Sequence, residues 1–335
     1  MTDAASQDAG IRYLDAAAVA ACLPPLPRLL ALAELALRAV VAGGDVPPKA
    51  AVGDASGRFA HAMPARLDAA RVPGGGASTD LLGMKWIAGA PGNRAAGLPA
   101  MAALIVLSDP VSGRPMAIME GGGITAWRTA ALSGVAIGLL AVPQRPAARA
   151  VILGAGAQGA AHAAVLGSVL PGVRLAIHDR HSERAADLAA RATGMAGIAA
   201  AAPVTDLRAA LLEADVIVSA TSLGGTPDLV SADVAPDALV LPVDYAARVG
   251  ASLVLAATTF AVDDREQLAR NRRNGRLEGW PDATAVLGEL LLTPRARLPG
   301  IAVALHQGPA IADLVVADAV LATARSAGIG VLLAR

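Results

Sequence analysis

Two basic residues of the first half of the chain lie in otherwise apolar stretches. Lys85 lies in Met84-Lys-Trp86, and Arg128 lies in Ile124-Thr-Ala-Trp-Arg-Thr-Ala-Ala131. A cation in apolar surroundings needs an anionic partner. A substrate carboxylate is one such partner, and the planar guanidinium of arginine can bind it through two hydrogen bonds. The alternative is that both cations pair with carboxylates or backbone carbonyls of the protein itself.

A glycine-rich turn, Gly154-Ala-Gly-Ala-Gln-Gly159, follows the predicted strand Arg149–Leu153 and begins a predicted helix. In such a turn the first glycine allows the tight bend, the second lets a pyrophosphate approach the backbone, and the third lets helix and strand pack closely. The free N–H groups and the dipole of the helix N-terminus attract phosphate. The segment therefore predicts a dinucleotide site, although a tight turn without a ligand would need the same glycines.

Asp179 lies twenty residues after Gly159, at the end of the next predicted strand. An acid at this place can accept hydrogen bonds from the ribose hydroxyls of the adenosine. It would also repel a 2′-phosphate, which favours NAD. Arg180 and His181 follow directly and could hold a phosphate, so NADP stays open. Thr221 follows another predicted strand, at the edge where open α/β sheets bind ligands, unless it is an ordinary turn hydroxyl.

The predicted helices and strands that could position these residues fall into two parts of the chain with different patterns. One or two helices are predicted over residues 11–43, short strands over 49–120, and a helix over 124–141 that Thr125 could cap. Strands and helices then alternate, which predicts a parallel sheet. The predicted fold class is α/β, with a Rossmann-type doubly wound parallel sheet at 127–308. A separate α+β substrate-binding and dimerisation domain covers 1–126, and a C-terminal helix, 309–335, returns to it.

Composition excludes several classes of function. Lys+Arg and Asp+Glu both number 28, so the basic surplus of a nucleic-acid binder is absent. Cys22 is the only cysteine, and the five histidines show no metal-ligand spacing. The first ten residues lack the pattern of a signal peptide, and the apolar runs are shorter than a membrane span. We expect a cytoplasmic protein with no metal, nucleic-acid or membrane partner.

With these motifs in this order, the chain resembles the ornithine cyclodeaminase and mu-crystallin family over almost its whole length. The markers of the resemblance are Met63-Pro64, Lys85 with Asn93 and Gly97-Leu-Pro99, the segment 107–113, the segment 124–131, Gly154-Ala-Gly-Ala-Gln158, Val243-Asp244, and Gly308 with Asp313. Members of this family depend on NAD(P) and include ornithine cyclodeaminase, an alanine dehydrogenase and ketimine reductases. They are typically dimers through the first domain, so the resemblance implies a homodimer.

The resemblance also implies roles for individual residues. Lys85 and Arg128 would hold the substrate carboxylate, and Asp244 would be the catalytic carboxylate that handles the substrate amine. All three would face one cleft beside the nicotinamide. The residues assigned to cofactor binding are Gly154, Gly156, Ala157, Gln158, Gly159, Asp179, Arg180, Thr221 and Thr129.

Three departures from the ornithine enzyme bear on the substrate. Lys49 replaces an arginine of the carboxylate clamp, His61 replaces a glutamate, and Tyr245-Ala-Ala-Arg248 follows Asp244 in place of Pro-Gly-Lys. Lys49 and His61 are therefore expected to bind substrate differently, unless His61 is an ordinary half-buried histidine of a strand. The predicted function is an NAD(H)-dependent oxidoreductase that moves a hydride between nicotinamide and the Cα of a small L-amino acid or its imine, which can be cyclic. The alternatives are strict ornithine cyclodeamination to proline and ammonia, or non-catalytic NADP binding as in mu-crystallin.

Overall fold

A computed structural model describes residues 10–76, 79–93, 95–222 and 228–334 of the chain. The chain divides into two compact units. The first comprises Met1–Arg128 and Pro309–Arg335, and the second comprises Thr129–Gly308. The second unit is thus inserted, in chain order, between two segments of the first.

Strands and helices occupy most of the described residues. The strands are β1 (Gly10–Leu14), β2 (Gly44–Asp45), β3 (Ala50–Gly53), β4 (Phe59–Leu67), β5 (Leu81–Gly89), β6 (Met101–Ser108), β7 (Pro115–Glu120), β8 (Arg149–Leu153), β9 (Val173–His178), β10 (Ile198–Pro203), β11 (Val216–Ser219), β12 (Leu239–Pro242), β13 (Thr259–Val262), β14 (Ala285–Val286), β15 (Ala302–Leu305) and β16 (Val331–Ala334). The helices are α1 (Ala16–Cys22), α2 (Leu26–Val41), α3 (Gly122–Leu140), α4 (Ala157–Val169), α5 (Ser182–Thr193), α6 (Leu207–Leu212), α7 (Ala251–Ala256), α8 (Arg265–Arg273), α9 (Leu287–Leu292) and α10 (Ala310–Ala327).

A mixed sheet forms the centre of the first unit. Its strand order is β16-β1-β7-β6-β5-β4-β2, with β3 also paired to β4. Burial alternates along β4, where Met63, Ala65 and Leu67 are buried and the residues between them are more exposed. This alternation is typical of a strand with one face on the core. Helix α10 packs on β5 and α2, so it covers the sheet of this unit.

A parallel sheet forms the second unit, in the order β10-β9-β8-β11-β12-β15-β13-β14. Strands β11, β12, β13 and β15 are buried at every position, as expected for parallel strands covered on both faces. Strand β8 pairs with β9 on one side and with β11 on the other. The strand order therefore reverses at β8, which is the point where open α/β sheets form a ligand crevice. The predicted fold class, a Rossmann-type sheet with a separate α+β unit, is confirmed.

Three local predictions were wrong. Residues 11–14, predicted as helix, belong to β1, because they pair with β7 and β16. Thr125 does not cap α3. It lies inside the helix, and the carboxylate of Glu120 accepts hydrogen bonds from the N–H groups of Gly122 and Gly123 instead. Residues 331–334 are a strand and not the end of a helix, because α10 stops at Gly328, whose φ of 66° is left-handed.

Strand β10 was not predicted from the sequence. Its residues, Ile198–Pro203, are rich in alanine, which has the highest helix propensity. They form an edge strand because they pair along β9. The tertiary pairing therefore overrides the local preference.

Helix α3 is long and apolar enough to cross a membrane, and the pair α1 and α2, bent by 96°, passes the same test as one broken span. In α3, 72% of the most apolar window is buried inside the protein. This degree of burial is what the core helix of a globular protein shows.

Candidate functional site

The first unit contains a buried cluster of three charges. Asp313, in the first turn of α10, forms an ion pair with Nζ of Lys85 at 2.7 Å through Oδ2. Its Oδ1 accepts a hydrogen bond from Nε of Arg128 at 2.8 Å. The side chains of Lys85 and Asp313 are 1% and 0% exposed, and that of Arg128 is 7% exposed. Both cations therefore do have a carboxylate partner within the protein, which was the alternative left open by the sequence.

One anion does not neutralise two cations. With Lys85 protonated the cluster carries a net charge of +1. Asp313 accepts a hydrogen bond only from Nε of Arg128. The two terminal guanidinium nitrogens have no hydrogen bond to a protein acceptor among the described residues. A buried site with one uncompensated positive charge and a free guanidinium edge is suited to a carboxylate ligand.

The pKa values in this cluster follow from burial and mutual charge. Burial, together with the charge of Arg128, lowers the pKa of Lys85 to about 7, although Asp313 opposes this shift. Burial would raise the pKa of Asp313, but the charges of Arg128 and Lys85 outweigh it and hold the pKa below the ordinary value. Asp313 is therefore ionised, and Lys85 titrates near neutral pH.

The two other predicted substrate residues lie in the same unit. Lys49 directly precedes β3, and its charge contributes to the lowered pKa of Lys85. His61 lies on β4, is 8% exposed, and has its ring 5.1 Å from that of Phe59. It pairs with Ile87, two residues after Lys85 on β5. Because side chains alternate across a strand, His61 and Lys85 share the buried face of the sheet.

In the second unit, Asp244 has two unequal carboxylate oxygens. Its Oδ2 accepts hydrogen bonds from Oγ of Ser219 at 2.8 Å, from N of Thr221 at 2.9 Å and from Oγ1 of Thr221 at 2.5 Å. Its Oδ1 is buried and has no hydrogen-bond partner among the described residues. The residue as a whole is 4% exposed. One oxygen is thus held in place while the other is available to a ligand.

The neighbouring strands explain this arrangement. Ser219 ends β11, and Asp244 follows β12 by two residues. The two strands are parallel neighbours, with Ser219 paired to Pro242, so their carboxyl ends meet at one edge. Ser219 was not predicted as a site residue. The signal available for it was its place at the end of a buried strand beside that of Asp244.

The three glycines of the dinucleotide motif have different surroundings. Gly154 has φ of 103°, and a Cβ there would overlap the carbonyl oxygen of Ala220. A Cβ on Gly159 would overlap the carbonyl oxygen of Gly154. A Cβ on Gly156 would meet nothing within 4 Å. The fold itself requires the first and third glycines, whereas the second borders open space of the kind that a pyrophosphate needs.

Asp179 is attached to this glycine turn. Its Oδ2 accepts a hydrogen bond from N of Ala155 at 2.8 Å, and its Oδ1 accepts one from N of His181 at 2.9 Å. Burial raises the pKa of Asp179, but these two backbone N–H groups outweigh it, and the pKa lies below the ordinary value. Arg180 is exposed and donates from Nε to Nε2 of His181 at 3.2 Å. The turn and an ionised Asp179 therefore fit the adenosine and pyrophosphate of a dinucleotide.

The remaining predicted cofactor residues lie on two helices. Ala157 and Gln158 begin α4, and Thr129 lies in α3 and is 7% exposed. The side-chain oxygen of Gln158 is buried without a hydrogen-bond partner in the described part of the chain. The same part contains no group of three or more histidine, cysteine or acidic side chains that could hold a metal.

The structure thus gathers the predicted residues into two groups, one in each unit. Lys85 and Arg128 meet at Asp313 in the first unit. Asp244 with Thr221, and Asp179 with the glycine turn, belong to the second.

Comparison with known proteins identifies the relatives of the chain. It is 29% identical to the nodulation efficiency protein NfeD of Rhizobium meliloti over 97% of this chain and 99% of that protein. It is 33% identical to a Delta(1)-pyrroline-2-carboxylate reductase of Paracoccus denitrificans over 62% of this chain and 66% of that one. The fold matches the Thermococcus litoralis Delta(1)-pyrroline-2-carboxylate reductase, solved with NADH and L-proline, with a TM-score of 0.82, 23% identity, and coverage of 96% of this chain and 100% of that one. The model of the ornithine cyclodeaminase/mu-crystallin family matches residues 28–252, and the chain belongs to that family.

Proposed function

We propose that this protein is an NAD(H)-dependent oxidoreductase that acts at the Cα of a small L-amino acid or its cyclic imine. The observation that carries the proposal is Asp244, with one carboxylate oxygen held by three hydrogen bonds and the other buried and unpartnered. A buried unpartnered acceptor is costly to the protein unless a ligand satisfies it. The protonated nitrogen of an amine or iminium is the ligand group that an anionic acceptor of this kind favours.

The cluster of Lys85, Arg128 and Asp313 supports an acid as the other half of the substrate. Its net positive charge and the terminal nitrogens of Arg128 suit an α-carboxylate. The guanidinium of Arg128 and the ammonium of Lys85 would bind that carboxylate. We assign Lys49 and His61 to the walls of the same substrate site. Their identity favours general amino-acid or cyclic-imine chemistry over strict ornithine cyclodeamination, since His61 offers no acid to a second amine.

The glycine turn supports a dinucleotide, with Asp179 at the ribose and α4 at the pyrophosphate. An ionised Asp179 favours NAD over NADP. When bound, the nicotinamide would supply or accept the hydride at Cα. The residues of the chain would fix the substrate carboxylate, orient its nitrogen and hold or release a proton at Oδ1 of Asp244.

We further propose a cytoplasmic homodimer that associates through the first unit. Trp86 and Leu104, which face each other in register on β5 and β6, are 43% and 44% exposed. Large apolar side chains exposed side by side on a sheet are typical of an interface.

A substrate screen with product identification tests the proposal. Purified protein is incubated with NAD or NADP and ornithine, lysine, alanine, proline or arginine, and in the reverse direction with reduced cofactor and cyclic imines. We expect a change in reduced-nicotinamide absorbance with at least one imine or amino acid. Product analysis is needed because a cyclodeamination returns the hydride, so conversion of ornithine to proline and ammonia without absorbance change would identify the strict cyclodeaminase. Bound cofactor with no product from any substrate would instead favour a binding protein and reject the proposal.

A further inference from the structure

Three buried side chains of the second unit form a hydrogen-bonded row. Nε2 of His306 lies 2.7 Å from Oγ of Ser133, and Oγ of Ser133 lies 2.8 Å from Nε2 of His162. Nδ1 of His162 lies 2.7 Å from the backbone carbonyl oxygen of Gln158. Ser133 and His162 are 0% exposed and His306 is 5% exposed. The row therefore leads from the segment after β15, through α3 and α4, to the dinucleotide turn.

The direction of every hydrogen bond in this row can be derived. The carbonyl oxygen of Gln158 only accepts, so Nδ1 of His162 carries a proton. Burial lowers the pKa of His162 to about 4, so the ring is neutral and its Nε2 is an acceptor. Ser133 must then donate its single proton to His162. The oxygen of Ser133 is left to accept from His306, whose Nε2 therefore carries a proton. When the ring of His306 carries this one proton, its acceptor is Nδ1.

The backbone around His306 is also held. The N–H groups of Gln307 and Gly308 donate to Oδ2 of the buried Asp263 at 2.7 Å and 2.9 Å. The hydroxyl of Tyr245 donates to the carbonyl oxygen of Gln307 at 3.1 Å. Strand β15 pairs in parallel with β12, so His306 and Asp244 follow neighbouring strands at the carboxyl edge of the sheet. This edge is where ligands bind in open parallel sheets.

We propose that Ser133 and His162 are positioning residues that fix His306 as a hydrogen-bond acceptor, with Nδ1 receiving an N–H group of the bound ligand. This inference rests on the proposed function for the identity of that ligand. Two sources offer the N–H group, namely the carboxamide of the nicotinamide and the ammonium of the substrate. The tautomer itself depends on neither and can be measured in the free protein.

The first test is the tautomer, read from the ¹⁵N chemical shifts of the imidazole nitrogens in uniformly labelled protein. The signals of His306 are assigned by their loss in His306→Leu. We expect a protonated Nε2 and an unprotonated Nδ1 in the unmodified protein at neutral pH. Ser133→Ala should shift the ring toward a mixture of tautomers, and Ser133→Thr, which keeps the hydroxyl, should restore the single form. A protonated Nδ1 with an unprotonated Nε2 in the unmodified protein overturns the proposal whether or not the Ser133 variants fold.

The second test distinguishes the two sources. Binding of NADH and of its 3-acetylpyridine analogue, which lacks the carboxamide N–H, is titrated by fluorescence in the unmodified protein and in His306→Leu. If the carboxamide is the donor, we expect the Kd of NADH to rise about tenfold in His306→Leu, which corresponds to the loss of one buried hydrogen bond. The Kd of the analogue should stay constant. If the substrate is the donor, both cofactors bind as before and substrate affinity in the cofactor complex falls by a similar factor.

Unchanged binding of cofactor and substrate in His306→Leu rejects the role of His306. Failure of the unmodified protein to bind any nicotinamide nucleotide is a different outcome, since it rejects the proposed function while the tautomer measurement still stands. The side chain of His181 is 42% exposed and lies outside the row, so His181→Leu is a control for the tautomer measurement alone and should leave the tautomer of His306 unchanged.

Discussion

Thr221 donates two hydrogen bonds to the same oxygen of Asp244, one from its backbone N–H and one from its hydroxyl. The threonine therefore fixes the position of that oxygen, whereas the second oxygen has no hydrogen-bond partner among the described residues. A carboxylate oriented in this way can meet a developing positive charge without reorganising.

The first prediction concerns Asp244→Asn. The amide can still accept hydrogen bonds from Ser219 and Thr221, so cofactor binding should change less than twofold. The missing negative charge should lower turnover by about a hundredfold or more, in the range typical of lost electrostatic or acid–base catalysis. Fluorescence titration and initial rates measure the two quantities. Asp282→Asn, at a side chain that is 94% exposed, is the matched control. An unchanged rate in Asp244→Asn would remove this residue from the chemistry.

The second prediction concerns Asp313→Asn in the charged cluster. Removing the anion leaves two buried cations without a partner, which should lower the free energy of unfolding by about 3–5 kcal/mol. Because the pKa of Asp313 is depressed, its contribution is present above the ordinary carboxyl pKa and is lost as the pH falls. Urea denaturation at several pH values measures this.

The control for that experiment lies on the same helix. Burial raises the pKa of Asp318, so its ionised form is not favoured by the fold. Asp318→Asn should therefore leave the free energy of unfolding nearly unchanged. Equal effects of the two substitutions would contradict a specific role of the anion at Asp313.

A third prediction follows from the pKa of Lys85, which lies at about 7. Only the protonated lysine attracts a carboxylate, so the affinity for an amino-acid substrate should fall as the pH rises through about 7. The free energy of unfolding should change in the opposite sense, because the unfolded chain binds more protons between about pH 7 and pH 10.4. Isothermal titration across this range measures the substrate Kd. In Lys85→Met the affinity should be low throughout, and a persisting step near pH 7 would assign it to another group.

A matched pair of glycine substitutions provides a fourth prediction. Gly159→Ala should destabilise the fold, because the new methyl would overlap the carbonyl oxygen of Gly154. Gly156→Ala should leave the unfolding temperature nearly unchanged, because nothing in the described structure lies within 4 Å of that methyl. It should nevertheless weaken NADH binding at least tenfold, since the methyl would occupy the space of the pyrophosphate. Thermal unfolding and NADH titration check the pair, and normal NADH affinity in Gly156→Ala would reject this turn as the phosphate site.

The fifth prediction is that Asp179→Ala weakens NAD more than NADP. Loss of the carboxylate removes the acceptor for the ribose hydroxyls and also the repulsion of a 2′-phosphate. Asp179→Asn is the control, because one amide oxygen can still accept from the N–H of Ala155 and so maintain the turn. The Kd values of both nucleotides are the readout. Tighter binding of NADP than of NAD by the unmodified protein would show that the cofactor preference is wrong.

The nucleotide-binding half could be predicted closely because its signals are local. The strand Val173–His178 was predicted with its exact bounds, since apolar residues alternate along it and the polar residues Asp179-Arg-His181 follow. Strand β1 was missed because its partners β7 and β16 are distant in sequence and its five residues, although they include the strand-favouring Ile11 and Tyr13, are too few to show a clear period before the helices that follow.

The same limit applies to the candidate site. The apolar surroundings of Lys85 and Arg128 predicted that each needs an anion, and Asp244 was identified by resemblance. The identity of the anion could not be inferred, because Asp313 lies 185 positions after Arg128 and no spacing rule connects them. Likewise, nothing in the sequence indicates that Thr221 donates to Asp244. Its contact with the cofactor stays a prediction.

The distance along the chain between Arg128 and Asp313 has a consequence for synthesis. Every residue of the second unit is translated between the two, so Lys85 and Arg128 leave the ribosome well before the carboxylate with which both form ion pairs. Helix α10, which carries Asp313 and covers the first sheet, is also made late. The ion pairs of Lys85 and Arg128 with Asp313 can therefore form only after the whole second unit has been translated.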